Sequence, residues 1–347
     1  MIRLVLALCL AMGPMPGSAQ DAPDVSYAVL GFEDLNGWDG DDHAQALEVF
    51  RNTCRDFDDP DWRALCRVAD EAGNAKDFFE LFFRPVQISD GTGEALFTGY
   101  FEPELRGSPV PTARYRYPIY KMPEEARNNR PWLTRRSILT SGVMKNRGLE
   151  IAWVDDAVEL FFLQIQGSGR VRFPDGHSIR VGYGGFNGHT YRSIGQELVR
   201  RGIFNMHQVS AQVIGNWVRS NPSAGEELLY HNDGYVFFRE VSEVPSERGP
   251  LGAMNRSITA MRSVAVDPTF TPLGAPVWIE KGGRSPLKRL MIAQDTGSAI
   301  KGAQRADIFI GTGMRAGRIA GKIKDPGRMI VLMPIQRAYA LLPDWIE

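Results

Sequence analysis

The chain has 347 residues, 43% hydrophobic and 23% charged, with a formal net charge of −1. That length and mixture suit roughly two globular domains, and the near-neutral balance leaves no global field to draw in nucleic acid or an anionic membrane. The 36 glycines and 22 prolines favour many short strands and turns over a helical bundle.

Residues 1–19 read as a secretory signal peptide. Arg3 supplies the positive end, 4–12 the apolar run, and Gly17-Ser18-Ala19 a small-residue cleavage site. The run is too short to span a bilayer. Cys9 lies inside it behind Leu8, where a lipid-accepting cysteine needs a small residue before it. Cys54 and Cys66 remain, and in an exported chain they read either as a disulfide or as two buried thiols.

From 40 to 85 the pattern is helical. Ala44, Leu47, Val49 and Phe50 recur at helical spacing, Asp59-Pro60-Asp61 starts a second helix, and AKDFFELFF supplies a third, its phenylalanines read as core. Strands are predicted over 95–108, punctuated by Gly99, Pro103 and Gly107, and over 115–121; the polar stretch 123–136 reads as a loop or short helix. Further strands are predicted over 149–154 and 158–169, then a hairpin over 171–181 about Asp175-Gly176. A glycine-rich loop spans 182–195. Helices follow over 194–204 and 208–219, the second stopping at Asn221-Pro222, then a strand over 235–238 and a strand-rich remainder from 260.

The five histidines show no i, i+4 pair and there is no Cys-x-x-Cys, so neither a metal site nor a cofactor is predicted. Gly167-Ser168-Gly169 lacks the spacing of a serine-hydrolase elbow, and the loop at Gly182 lacks that of a phosphate cradle. What remains is carboxylate chemistry. Asp267, Asp295 and Asp307 each follow or interrupt a short apolar run at a strand end, where partial desolvation raises a pKa while a substrate can still approach. Aspartate also caps turns, and that plainer reading stays open.

The second constellation is QIQGSG. As a strand it puts Gln164 and Gln166 on one face, with Gly167 and Gly169, either side of Ser168, letting a bulky ligand approach the backbone. Tyr100, Tyr183, Asn187 and Tyr191 lie in or beside glycine-rich segments. Aromatic faces and amides are the groups that bind sugars; a polar edge strand with structural tyrosines is the competing reading.

The segments FTGYFEPELRGS, ELFFLQIQGSGRV, VGYGGFNGHTYRSIG and AVDP…PLGAPVWIE…QDTGSAIKGAQRADIFIGTG occur in that order between about residues 95 and 334. Together they resemble the membrane-bound lytic murein transglycosylase A family, and the last also resembles the 3D domain, named for three aspartates. The resemblance implies a mainly β protein with a few N-terminal helices. A double-psi β-barrel would form from 20–103 and 241–347, a second β domain, 104–240, would be inserted in it, and peptidoglycan glycan strands would lie in the groove between them. It implies a cofactor-free lyase of the periplasm, associated with the outer membrane, that cleaves the β-1,4 bond from N-acetylmuramic acid to N-acetylglucosamine and leaves a 1,6-anhydromuramic end. Asp307 matches the family's catalytic aspartate and Asp295 and Asp267 its other two; Gln164, Gln166 and Ser168 fall in its glycan-contacting stretch. Asp307 is then expected to hold its proton through apolar surroundings at Ala306 and Ile308 and through an ionised Asp295, with Lys301 a rival charge partner or a solvated turn. A monomer is expected, without nucleic acid; partners such as other wall enzymes are left open. A non-catalytic wall-binding barrel and a true hydrolase are the two rival readings.

Overall fold

The computed structural model describes residues 25–342 apart from 55, 58, 92 and 246, so the segment read as a signal peptide lies outside the described residues. The described chain opens with β1 (Ser26–Val29) and three helices, α1 (His43–Cys54), α2 (Pro60–Glu71) and α3 (Ala75–Phe82). Local chemistry starts two of these helices: Asp59 accepts from Asp61 N with Pro60 at the first helical position, and Asn74 accepts from Lys76 N and Asp77 N. Phe50, Phe78 and Phe79 are buried, their ring centroids 5.7–5.9 Å from that of Phe83, so this cluster is core as read. Cys54 and Cys66 are joined as a disulfide that ties the end of α1 to α2.

Next come β2 (Phe83–Ser89) and β3 (Ala95–Glu102). At Pro103 the chain leaves for a second sheet made of β4 (Glu104–Ser108), β5 (Tyr117–Tyr120), β6 (Glu150–Val154), β7 (Gly169–Arg172), β8 (Ser178–Phe186) and β9 (Val236–Glu240), in the order β5-β6-β4-β7-β8-β9. β7 and β8 are the expected antiparallel hairpin. Helices α4 (Glu124–Asn128), α5 (Arg135–Thr140), α6 (Ala157–Gln166), α7 (Ile194–Arg200), α8 (Ala211–Ser220) and α9 (Pro222–Tyr230) pack around this sheet.

Two of these helices correct the sequence reading. The stretch predicted as a strand over 158–169 is α6. Asp156 caps it by accepting from Val158 N and Glu159 N, and Gly167, at φ 76°, closes it by donating to Leu163 O. Leu160 and Leu163 pack on the sheet while Val158 and Phe161 pack on α7, α8 and α9, so α6 is apolar on nearly all sides. A helix buried all round loses its 3.6-residue signature and looks like a core strand. α8 stops at Asn221-Pro222 as read, and Pro222 then occupies the first helical position of α9, a helix not foreseen.

The chain then returns to the first sheet with β10 (Ser263–Val266), β11 (Pro276–Lys281), β12 (Leu287–Thr296), β13 (Arg305–Thr312), α10 (Gly313–Ala320), β14 (Lys324–Pro334) and α11 (Ile335–Ala340). Strands β14, β11, β12, β10, β13 and β3 pair in that order, and β14 also pairs with β3, closing a six-stranded barrel. Two pairs, β10–β12 and β3–β13, are parallel. The expected double-psi barrel is therefore present, built from both flanks of the chain. Its interior is filled by Phe97, Val264, Val266, Val277, Ile279, Met291, Ala306, Ile308 and Met329, so it is a packed core and not a channel. α1, α2 and α3 cover the outer face through Trp278, Leu290, Ile292 and Ile330.

Candidate active site

The pairing of β12, β10, β13 and β3 sets one row of side chains across the outside of the barrel. Ala265 pairs with Asp307 on one side and Asp295 on the other, and Asp307 pairs in turn with Thr98. Val264 and Val266 fill the barrel, so Ala265 faces outward, and Asp307 and Thr98 face outward with it. Asp295 reaches this face through a bulge: Val264 pairs with Ala293 but Ala265 pairs with Asp295, leaving Gln294 as an extra residue. Without it Asp295 would point into the core. Gln294 is fully buried, its amide donating to Thr53 Oγ1 at 2.8 Å and accepting from the Ser263 hydroxyl.

Asp295 is held from three directions. The Tyr100 hydroxyl donates to its Oδ2 at 2.8 Å, while Ala253 N and Thr296 N donate to Oδ1 at 3.0 and 2.9 Å. Ala253 can reach it because Gly252 lies against the bulge; a Cβ there would meet Gln294 O at 2.5 Å. Asp307 is engaged on one oxygen only. The Thr98 hydroxyl donates to Oδ1 at 2.6 Å, and Oδ2 has no hydrogen-bond partner among the described residues. Tyr100, two places along β3 from Thr98, packs on Phe309 with centroids 5.3 Å apart.

Both carboxyls lie above the usual aspartate range. Burial pushes Asp295 up to about 6 against the pull of its three donors, and the nearby Asp307 adds to the rise. Burial also raises Asp307, opposed by the Thr98 hydroxyl and the Arg305 guanidinium. The expected cause needs correcting on two counts. Ala306 and Ile308 point into the barrel, on the opposite face from the carboxyl. An ionised Asp295 is not what lifts Asp307; Asp295 is itself the group that keeps its proton to about 6. Tyr100 is driven well above its ordinary value by burial and then by Asp295, so it remains a donor. Tyr100→Phe removes a donor that favours the Asp295 carboxylate. Its titration is expected to move up by about one unit, measured by carboxyl carbon NMR on labelled protein.

Asp267 has a different setting. Thr269 N and Gly302 N donate to its carboxylate at 3.1 and 3.0 Å, and Lys301, largely exposed, approaches to 3.8 Å. Burial pulls Asp267 upward, but the bonds from Gly302 and Thr269, with Lys301, outweigh it and leave the carboxyl below its ordinary value. Asp267 thus staples the loop before β13, the plainer of its two readings, and Lys301 serves Asp267 and not the carboxyl pair.

The glutamine stretch also changes meaning once it is a helix, because alternate residues no longer share a face. Gln164 is buried, accepting from Arg135 Nη1 at 2.5 Å and donating to Val236 O at 3.2 Å. Gln166 is half-buried, accepts from Phe101 N at 3.2 Å beside Tyr100, and its amide nitrogen has no hydrogen-bond partner among the described residues. Gly169 serves packing: a Cβ there would meet Leu163 Cδ1 at 2.4 Å. Gly167 faces open space and Ser168 is half-buried. Asn187 is 0% exposed, donating to Leu133 O and Asp233 O and accepting from Tyr235 N, so it holds loops together and is closed to a ligand. Tyr183 and Tyr191 are 54% and 43% exposed. Sequence reasoning missed Thr98 and Arg305, although Thr98 stands two places before Tyr100 in FTGY, the spacing that puts two strand residues on one face.

Asp295 and Asp307 are both partly exposed. Two hollows of about 760 and 770 Å³ lie elsewhere, one lined by Glu280, Lys281 and Arg328 and the other by Arg248, Ile258 and Phe309; neither is lined by Asp295 or Asp307.

Known proteins share this chain's sequence and architecture. The model of the MltA specific insert domain matches residues 96–239 and that of the 3D domain residues 262–333. The membrane-bound lytic murein transglycosylase A of Vibrio cholerae is 34% identical over 292 residues, 79% of this chain and 76% of that protein. The crystal structure of MltA from Neisseria gonorrhoeae, in its monoclinic form, matches with a TM-score of 0.79 at 33% identity, covering 92% of this chain and 96% of the other. That of Escherichia coli MltA with bound chitohexaose matches with a TM-score of 0.73 at 28% identity, covering 92% and 96%. With a 34% identical relative covered over three quarters of its length and a fold shared with solved members, this chain belongs to the membrane-bound lytic murein transglycosylase A family.

Proposed function

We propose that the protein is a peptidoglycan lytic transglycosylase in which Asp307 acts first as acid and then as base. The observation that carries this is the asymmetry of the pair: Asp307 is a half-buried carboxyl with a raised pKa and one oxygen free of donors among the described residues, whereas both oxygens of Asp295 are occupied. Asp307 gives its proton to the glycosidic oxygen leaving from the muramic residue. As carboxylate it then takes the proton of the muramic 6-hydroxyl as that oxygen closes on the anomeric carbon. The 6-hydroxyl is tethered to the reacting ring, so its effective concentration is very high and no second carboxylate is needed to activate water. Asp295, with Tyr100, is the fixed polar wall beside the reacting sugar.

The bound chitohexaose of the Escherichia coli relative supports a β-1,4-linked amino-sugar chain as the ligand class. Gln166 and Ser168 at the end of α6, with Tyr183 and Tyr191 as exposed aromatic platforms, are the proposed glycan contacts. The proposed division is a barrel domain from 20–103 and 241–347 with 104–240 inserted; the passage at Pro103 from β3 to β4 supports it. Among the described residues no helix is long and apolar enough to cross a membrane. We propose export through the segment 1–19 and action in the periplasm as a monomer.

A true hydrolase of the inverting type needs its second carboxylate free to activate water. Asp295 lies in the right row, but three donors already hold it. Mass spectrometry of peptidoglycan digested by the purified protein decides the matter: products ending in 1,6-anhydromuramic acid are expected. Reducing ends would mean hydrolysis, and no released products a wall-binding protein; either result overturns the proposal.

A further inference from the structure

The hydroxyl that holds Asp307 is itself held. Arg305 Nη2 donates to Thr98 Oγ1 at 2.8 Å, while Nη1 of the same guanidinium donates to Ala306 O at 2.6 Å and Leu96 O at 3.2 Å. The parallel pairing of β13 with β3 builds this arrangement, since Arg305 opposes Leu96 and Asp307 opposes Thr98 at successive outward places. A guanidinium can only donate. It therefore fills a lone pair on Thr98 Oγ1 and leaves the single hydroxyl hydrogen to point along the 2.6 Å contact to Asp307 Oδ1.

We propose that Arg305 is a positioning residue: acting through the Thr98 hydroxyl, it keeps Oδ1 of Asp307 an acceptor and so assigns the transferable proton to Oδ2, the oxygen open to substrate. This rests on the reading of Asp307 as the acid and adds which oxygen works and what orients it. Without the relay the acid proton can sit on either oxygen, and in half of those arrangements it points at protein. The groups facing Asp307 are Arg305 on its own strand, Thr98 and Tyr100 from β3, and Asp295 from β12 across Ala265. Of these only Arg305 is a cation, and among the described residues no carboxylate lies within ion-pair distance of it.

The test compares Thr98→Val, Arg305→Met and Thr98→Ser by kcat/KM against pH on purified peptidoglycan, and by carboxyl carbon NMR titration of Asp307 without substrate. Both Thr98→Val and Arg305→Met take away support for the carboxylate, so the alkaline limb and the Asp307 titration move up by about one pH unit. In these two variants kcat falls by about tenfold with little change in KM, and Thr98→Ser returns the limb to its wild-type position. An unmoved titration in Arg305→Met, with native circular dichroism, overturns the proposal. The titration needs no turnover, so it is separable from the reading beneath it: failure of Asp307 as acid shows as retained turnover in Asp307→Asn, failure of the relay as an unmoved titration in Arg305→Met.

Discussion

Asp307→Asn is expected to abolish release of anhydromuramic products, lowering kcat by about 10³-fold or more, while glycan binding survives. One group serves both proton transfers, so its loss removes the acid and the base together. The substitution is close to isosteric, and the amide oxygen can still accept from Thr98, so the row Asp295–Ala265–Asp307–Thr98 keeps its spacing. Stability separates lost chemistry from lost fold. Burial raises Asp307 above its unfolded value, so the folded state holds that proton longer than the unfolded chain. The folded state is therefore favoured at low pH and loses stability as pH rises from the unfolded value near 3.9 through the folded one. Asparagine removes that cost at neutral pH, so Tm at pH 7 should equal or exceed the wild-type value. Calorimetry beside product analysis checks both, and measurable anhydro product from Asp307→Asn would reject the assignment.

What the sequence could disclose depended on the range of the interactions. The three aspartates, the hairpin at Asp175-Gly176 and the caps at Asp59-Pro60 are local, set by residues within a few positions of one another. The motif resemblance carried the barrel, because no periodicity shows that β3 closes against β13 and β14 more than two hundred residues later. The reading failed where burial erased the pattern. α6 is apolar on nearly every side, so its glutamines were put on one strand face when Gln164 is in fact locked to Arg135 and only Gln166 reaches β3. The bulge at Gln294 was equally hidden: strict alternation would turn Asp295 inward, and only the pairing of Ala265 with Asp295 shows that it faces out. Thr98 and Arg305 became visible only when two parallel strands set them side by side.

The largest structural effect is expected at Glu102, a residue whose charge gives no hint in the sequence that it is 0% exposed. It ends β3, on the strand face that carries Thr98 and Tyr100. Its carboxylate accepts from Arg170 Nε at 3.0 Å on β7, from Arg180 Nε at 2.8 Å on β8 and from the Thr312 hydroxyl at 2.7 Å on β13. The same two arginines donate to Arg248 O, on the segment that brings the chain back to the barrel, so one carboxylate organises both passages between the sheets. Removing one partner of a buried ion pair costs about 3–5 kcal/mol, because the remaining charge is left without compensation. Here Arg180 is itself buried, which puts Glu102→Ala at the upper end of that range and lowers Tm by roughly 10 °C. Arg170→Ala should cost less, since Arg170 is partly exposed and Arg180 still neutralises the carboxylate. Thermal unfolding of both variants checks the order; equal losses would mean that the carboxylate is not the shared anchor. Because Glu102 also fixes the end of the strand that carries Thr98 and Tyr100, Glu102→Ala should raise KM for peptidoglycan at temperatures where it is still folded, through a carboxyl row that no longer keeps its spacing.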